Sequence, residues 1–438
     1  MTNRTRRAFP AIAASTLFIG ASIASAAELT QQELLSQIEQ LKSKVEAMES
    51  KQMNTADVDA TVDSVLRDAE RRSQLLAVDG VGGGYDAKSG FHLKDASGAN
   101  TLRVGIQFQY RNVTNYLDEA PLSFDKTDGD EDLQNGMEIR RLKTTFSGSA
   151  ISTALKYVFT IAYNRNGGSA TLENAYINYA VDENWGFQVG QFKDMTFKEE
   201  STSSSRLLAV DRSLVNEQIG GGITDYIQAV AAYYKTDQLM FWLGLSDGIN
   251  SDNTDFLDEP ASRPDFGVIL RADYALMGKQ SNDFTAMGNS EDSLIIGAGG
   301  HWSQAPEENT FYHSVDVQYE NTTGLSAFAA YYGQWADVDG DFDSYDWGVL
   351  GQVGQMLSEE FELFGQVGYM KLDLGSGTEE DSFLQFVAGM NYYLDGHTKV
   401  TIDVVVLPDG SPSNHSGIGV LASDELEVAI RGQFQLVR

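Results

Sequence analysis

The feature that most constrains this fold is a series of short segments, from residue 102 to the C-terminus, in which apolar and polar residues alternate. Each segment runs for about ten residues, and turn-forming residues separate it from the next. We count sixteen of them. Bacterial outer-membrane barrels are built from even numbers of strands with this weak pattern. The sequence therefore predicts an all-β transmembrane barrel of about 16 antiparallel strands. The predicted strands are 102–111, 137–148, 153–164, 172–181, 184–192, 223–235, 238–246, 266–275, 293–302, 311–321, 323–335, 345–357, 360–372, 382–394, 397–407 and 425–438.

The connections between these segments support the same fold. Long, polar and acidic connections such as 112–136 and 247–265 alternate with tight ones such as 182–183 and 395–396. Long outer loops and short periplasmic turns are typical of such barrels. The connection 277–292 is too long for a turn and breaks this rule.

The alternation inside a strand indicates what surrounds its two faces. In the fifteenth segment Val400, Ile402 and Val404 share one face, and Lys399 and Asp403 lie on the other. A soluble β-sandwich also alternates, with its apolar face inward. Sixteen long strands with a polar second face fit a membrane barrel around a wet lumen better.

The N-terminal part has a different character. Three arginines (Arg4, Arg6, Arg7) precede an apolar stretch, and small residues follow at 24–26. This pattern predicts a signal peptide over 1–26, with a transmembrane anchor as the alternative. The protein is thus expected in the outer membrane of a Gram-negative-type cell, with its N-terminal segment in the periplasm.

Residues 27–76 lack Gly and Pro, and they predict a periplasmic coiled-coil helix. Ile38, Leu41 and Val45 belong to an apolar stripe with a period of 3.5 residues. An amphipathic helix packed on its own domain is the alternative. A Gly-rich linker is predicted over 77–101, and the barrel domain over 102–438.

Composition excludes several function classes. Asp and Glu number 63 against 31 Lys and Arg, a formal net charge of −32. This charge repels nucleic-acid phosphates. The chain has no cysteine, which excludes disulfides and thiolate metal sites. No cofactor is predicted, and no enzyme either, because no serine motif accompanies the five scattered histidines. These are His92, His301, His313, His397 and His415.

One acidic segment has the spacing of a calcium loop. It carries an aspartate at every second position, but Gly348 stands where such a loop needs a bidentate Glu. It is therefore a weak candidate site, and a solvated loop is the alternative. The candidate ligands are Asp337, Asp339, Asp341 and Asp343.

Basic residues on the lumen face are candidates for an anion pathway, because positive side chains in a pore concentrate anions. Arg140 and Arg141 are adjacent, so both face inward only if a β-bulge interrupts the strand. The other lumen-side residues that alternation predicts are Arg103, Arg111, Lys156, Arg271, Lys399 and Arg431.

Several short motifs occur in the order seen in a known family. The motifs are Arg140-Arg141-Leu142, Phe146-Ser147-Gly148, Glu173-Asn174-Ala175-Tyr176-Ile177, Gly190-Gln191-Phe192-Lys193, Ser203-Ser204-Ser205 and Gly389-Met390-Asn391-Tyr392-Tyr393-Leu394. With these motifs the chain resembles the phosphate-selective porin O/P family over about residues 102–438.

The resemblance implies a 16-stranded outer-membrane channel, typically a trimer, that passes phosphate or related anions along pore-wall arginines and a lysine cluster. The basic positions that match are Arg140, Arg141 and Lys193. The resemblance also implies that the loop 192–222 folds inward and narrows the pore, with a loop that covers the outer face as the alternative. This loop carries Lys193, Lys198, Arg206 and Arg212.

Together these observations predict an outer-membrane porin for passive diffusion of small hydrophilic solutes, with small inorganic or organic anions such as phosphate as permeants. The alternatives are a general or cation-preferring porin, and a structural or adhesive barrel without selective transport. The expected partners are outer-membrane lipid, two further copies of the chain in a homotrimer, and the cell wall through the coiled coil.

Overall fold

The computed structural model describes residues 35–36, 38–44, 64, 81–86, 90–118, 133–165, 167–221, 225–255, 266–306, 308–338, 343–373 and 380–438. The chain divides into two compact units, Met1–Asp79 and Gly80–Arg438.

In the first unit, residues 35–36 and 38–44 are helical, and Ile38 and Leu41 are exposed. The predicted signal peptide and most of the predicted coiled coil lie outside the described residues.

The second unit is one antiparallel sheet in which the described residues form 18 strands. Sixteen of these, β3 to β18, close into a barrel, because β18 pairs with β3, as in Phe434 opposite Tyr110. Every strand predicted from the sequence is present, so the predicted barrel is confirmed. The strands are β1 Val81–Asp86, β2 Gly90–Asp95, β3 Thr101–Leu117, β4 Leu133–Ala150, β5 Ser152–Tyr163, β6 Ala170–Ala180, β7 Trp185–Lys193, β8 Tyr226–Lys235, β9 Leu239–Ser246, β10 Phe266–Met277, β11 Ser293–Gln304, β12 Glu308–Glu320, β13 Leu325–Val338, β14 Ser344–Met356, β15 Phe361–Asp373, β16 Glu380–Asp395, β17 Thr398–Leu407 and β18 Glu427–Val437.

The two faces of the barrel wall differ as the alternation predicts. On the outer face, apolar side chains such as Ile402 and Ile430 are exposed, whereas inward-facing Thr401 and Asp403 are buried. An apolar outer surface of this kind suits contact with lipid. Among the residues that the structure describes, no helix is long and apolar enough to cross a bilayer.

The connections divide the barrel into a loop side and a turn side. Turn-side connections such as 181–184, 236–238 and 396–397 are short, whereas loop-side connections such as 247–265 are long. The exception is the turn-side connection 278–292 between β10 and β11, which is as long as the sequence predicts.

The segment expected to be a linker contains a β-hairpin. Strands β1 and β2 pair with each other, and β2 pairs with the start of β3, as in Phe91 opposite Val104. The end of β18 reaches only Gln107 on the same edge of β3, so β2 continues the position of β18 toward the turn side. The folded unit therefore begins near residue 80 and not at 102. The Gly-rich sequence concealed the hairpin because backbone pairing needs no side chains.

Three connections fold into the barrel. They are the lumen loop (194–225), the inserted turn (278–292) and the last loop (408–426). Their apolar side chains form a buried cluster with the inner wall of β12 to β18. Members of this cluster include Phe197, Leu214, Ile219, Phe284, Ile418, Tyr332, Leu350 and Val405.

The lumen loop lies directly on the wall where it leaves β7. At Gly299 of β11 even a Cβ atom would collide with the carbonyl oxygen of Thr196. The loop then contains a one-turn helix, α1 (Lys198–Ser201), and a π-helical turn (Asn216–Gly221). The segment that the family resemblance assigned to the pore therefore does lie inside the barrel.

Candidate channel constriction

A β-bulge in β4 brings two adjacent arginines to one carboxylate. Gln109 pairs with Arg141 and Tyr110 pairs with Ile139, so Arg140 is the extra residue. As predicted for two adjacent residues that both face inward, this bulge lets both side chains point into the lumen. Arg140 Nε lies 2.7 Å from Asp211 Oδ2, and Arg141 Nη2 lies 2.8 Å from Asp211 Oδ1.

A second bulge does the same for an acidic residue. Thr160 pairs with Asn174 and Ile161 with Leu172, which leaves Glu173 of β6 as the extra residue. Glu173 Oε2 lies 2.6 Å from Lys143 Nζ and accepts a hydrogen bond of 2.9 Å from the Tyr226 hydroxyl. In the absence of the two bulges, strict alternation would turn some of these charged side chains outward; the bulges place them in the lumen. Sequence reasoning missed Lys143, Glu173 and Tyr226 as site residues.

The lumen loop supplies the opposite side of the site. Lys193 Nζ contacts the Glu200 carboxylate and lies 2.7 Å from Asp225 Oδ1. Arg212 Nε lies 3.0 Å from Glu200 Oε2, and its Nη2 donates to the carbonyl oxygen of Thr202. Both basic residues are therefore held by the loop and its ends, as part of one network.

These groups surround a cavity of about 220 Å³. Side chains of the basic residues remain partly exposed in it, 18% for Arg140 and 17% for Lys193. The cavity is lined by Arg140, Arg141, Leu142, Lys143, Ala162, Tyr163, Glu173, Lys193, Ser204, Arg212 and Asp225.

Asp211 is the charge centre of the loop-to-wall contact. Its carboxylate is fully buried and faces Arg140, Arg141 and, at 3.6 Å, Arg111. Burial alone would raise the pKa of Asp211, but the three arginines hold it well below the usual range. The loop therefore presents a permanent negative charge to the arginine pair.

Four of the predicted lumen residues lie inside the barrel but are covered. Arg111, Arg271, Lys399 and Arg431 are at most 2% exposed. Arg271 pairs with Asp273 at 2.6 Å and Arg431 with Asp403 at 2.7 Å. Alternation predicted the direction of these side chains correctly, but it carried no information on what covers them.

The covered basic residues hold the lumen loop and the last loop in place. Arg271 donates to the carbonyl of Thr196 at 3.1 Å, Lys399 to that of Leu207 at 2.5 Å, and Arg431 to that of Ile418 at 3.0 Å. Arg111 donates to the carbonyls of Gly417 and Ser416.

The remaining predicted residues lie in two places. Arg103 and Lys156 are exposed in the lumen toward the turn side. Lys198 and Arg206 of the lumen loop point to the inserted turn, where each donates a hydrogen bond. Neither residue lines the 220 Å³ cavity.

One histidine takes part in an arrangement that the sequence did not indicate. His301 Nδ1 lies 2.5 Å from Asp194 Oδ2, and its Nε2 lies 2.9 Å from Ser246 Oγ. An acyl-transfer triad has the same connectivity, but its serine must be open to substrate. Here Ser246 is 7% exposed and also accepts the Gly248 N–H. We interpret the three residues as a relay that fixes the first residue of the lumen loop.

Two of the four calcium-loop candidates lie outside the described residues. Asp339 and Asp341 are not among the described residues. Among those that are described, no group of three or more His, Cys, Asp or Glu side chains is placed to hold a metal ion.

Comparison with known proteins agrees with this architecture. Residues 121–273 match the family model for phosphate-selective porins O and P, which confirms the resemblance drawn from the motifs over this stretch. This stretch contains the Arg140–Arg141 bulge, Glu173 and the whole lumen loop. No curated protein sequence matches the chain.

Solved porins have the same fold at low sequence identity. The anion-selective porin from Comamonas acidovorans has a TM-score of 0.55 at 10% identity, with 77% of this chain and 100% of that chain covered. OmpT of Vibrio cholerae in its trimer form has a TM-score of 0.50 at 10% identity, covering 76% and 99%. Salmonella typhi OmpF in complex with daunomycin has a TM-score of 0.50 at 14% identity, covering 77% and 98%. At these identities the likeness concerns the fold alone.

Proposed function

We propose that this chain is an outer-membrane porin that passes small hydrophilic solutes, with a preference for anions such as phosphate. The observation that carries the proposal is the Arg140–Arg141 pair, which a bulge turns toward a narrow cavity closed by the lumen loop. Guanidinium groups bind oxyanions with several well-directed N–H donors. The apolar outer face supports a place in the outer membrane, with the loop side outward and the N-terminal segment in the periplasm.

The size of the cavity supports small permeants. A space of about 220 Å³ is large enough for inorganic phosphate or a short organic anion. Arg103 and Lys156 are exposed nearer the turn side and add positive charge to that part of the lumen.

A general porin is the second candidate, and the acids in the same cavity favour it. Glu173 and Asp225 compete with a passing anion for Lys143 and Lys193. The site is therefore of mixed charge, and its anion preference is expected to be modest.

Assembly is a further part of the proposal. The Vibrio cholerae OmpT structure includes a trimer form, and the exposed Ile38 and Leu41 leave an apolar helix surface for a partner. We infer a homotrimer joined in the periplasm by a coiled coil of three N-terminal helices, which also extends toward the cell wall.

The deciding experiment is the reversal potential of the purified protein in a planar bilayer under a KCl gradient, with and without added phosphate. Chloride preference, a decrease of the current by phosphate, and loss of both effects in R140Q/R141Q are expected. The matched control K279Q, on an exposed turn-side lysine, should behave as the wild type. Cation selectivity would favour the general porin, and the absence of any channel would overturn the proposal.

A further inference from the structure

The inserted turn (278–292) enters the barrel from the turn side, opposite to the lumen loop. Phe284 and Ala286 are 2% and 3% exposed, and the Phe284 ring lies 4.9 Å from that of Phe328 on the inner wall of β13. A turn that only reversed the chain would leave these side chains in water. The segment is therefore docked in the lumen.

The barrel wall carries buried acids that receive this turn. Glu320 of β12 and Glu362 of β15 face inward with exposures of 2% and 0%. Ser281 and Asn289 donate to Glu320 at 2.9 and 2.7 Å, and Thr285 donates to Glu362 at 2.8 Å. Burial of a carboxylate is unfavourable unless hydrogen-bond donors surround it. Glu320 and Glu362, which lie on different strands, thus specify the docked position of the inserted turn.

The docked turn also holds the lumen loop. Lys198, the first residue of α1, is 4% exposed, and its ammonium donates to Ser281 O at 2.8 Å and to Asn282 Oδ1 at 2.9 Å. Arg206 donates to the carbonyl of Asn282 at 3.3 Å. The turn thus supplies partners for a buried positive charge of the loop.

The two halves of the barrel differ in how much lumen remains open. Inward-facing Phe328, Leu350 and Val387 on β13, β14 and β16 are buried beneath the insertions. On the opposite wall, inward-facing Lys143 of β4 and Asn174 of β6 are still partly exposed. Inward-facing Arg111 of β3 and Ala231 of β8 are buried as well. Water-accessible space therefore follows the wall formed by β4 to β6.

We propose that the inserted turn is a second element of the constriction, which positions the lumen loop and closes the β10 to β17 half of the barrel to solutes. Lys198 is the positioning residue in this arrangement. The inference rests on the proposed channel function, because it assigns the solute path to one side of the lumen.

The first test replaces residues 280–290 by a two-residue turn. Single-channel conductance is expected to rise by about twofold or more, since water would then fill the covered half, and the effect of phosphate should weaken. Unchanged conductance in a folded variant would overturn the inference.

A second variant keeps the chain length, and it tests the role of the inserted turn even if the shortened chain does not fold. K198M removes the ammonium that joins loop and turn, and it should raise conductance by about 1.5-fold with greater current noise. The matched control K279M makes the same charge change on a side chain of the inserted turn that is 59% exposed, and it should change nothing.

The outcomes separate the two proposals. A wild-type protein that forms no channel contradicts the proposed function. A conducting wild type with K198M indistinguishable from K279M contradicts the role of the inserted turn alone.

Discussion

Arg140 and Arg141 are neighbours in a β-strand, yet both bind the one carboxylate of Asp211, at 2.7 and 2.8 Å. Adjacent strand residues normally point to opposite faces of a sheet. The bulge at Arg140 removes this restriction and joins the wall of the barrel to the lumen loop. The lumen loop is therefore held by charge at the point where the cavity is lined by arginine.

Removal of this carboxylate should strengthen the anion preference. In D211N the arginine pair loses its permanent counter-charge, and we expect the chloride-to-potassium permeability ratio to rise by about two- to threefold. Reversal potentials measure the ratio directly. D237N, which removes an exposed carboxylate of a turn-side connection, is the matched control. A ratio that falls in D211N would show that the loop position, and not the free arginine charge, determines selectivity.

Glu173 should limit anion passage in the same way, because its carboxylate neutralises a basic side chain in the cavity. E173Q keeps the size of the side chain but frees the Lys143 ammonium, now 2.6 Å from the carboxylate. We expect a higher anion preference and a larger block of the current by phosphate. E291Q, on the exposed part of the inserted turn, is the control. Equal reversal potentials for E173Q and wild type would remove Glu173 from the solute path.

The strands were predictable from the sequence because side-chain alternation follows from strand geometry, but the site was predictable only in part. Alternation placed Arg271 and Arg431 inside the barrel, and it could not show that Asp316 and Asp403 neutralise them beneath folded loops. Whether an inward-facing arginine is covered depends on connections that are far away from it in sequence. The bulge at Glu173 was missed because one extra residue leaves no mark in an alternating pattern.

The buried relay at the root of the lumen loop should act on stability and not on chemistry. His301 joins Asp194 to Ser246, and Asp194 also accepts hydrogen bonds from the backbone and hydroxyl of Thr196. In H301F the buried Asp194 carboxylate loses a donor, which costs about 1–3 kcal/mol. We expect a lower unfolding temperature and a noisier channel. S246A should show a smaller loss, and neither variant should differ from wild type in ester hydrolysis. Serine-dependent hydrolysis by the wild type would contradict the relay.

Acid pH should loosen the last loop through His415. Its Nε2 lies 2.9 Å from Ser413 Oγ and 3.1 Å from Gln218 Oε1 of the lumen loop, and burial lowers the pKa of His415 to about 4. An undocked histidine titrates near pH 6.5. Neutral His415 therefore favours docking above pH 6.5, and this contribution is lost as the pH falls toward 4.

We expect current noise to increase between pH 6.5 and 4 in the wild type and to change less in H415Q, where no imidazole is protonated. H92Q, in the N-terminal hairpin, should keep the wild-type response. Because acid also acts on groups that H415Q and H92Q share, the difference between these two variants isolates the histidine. If both variants respond to acid as the wild type does, the docking of the last loop does not depend on His415.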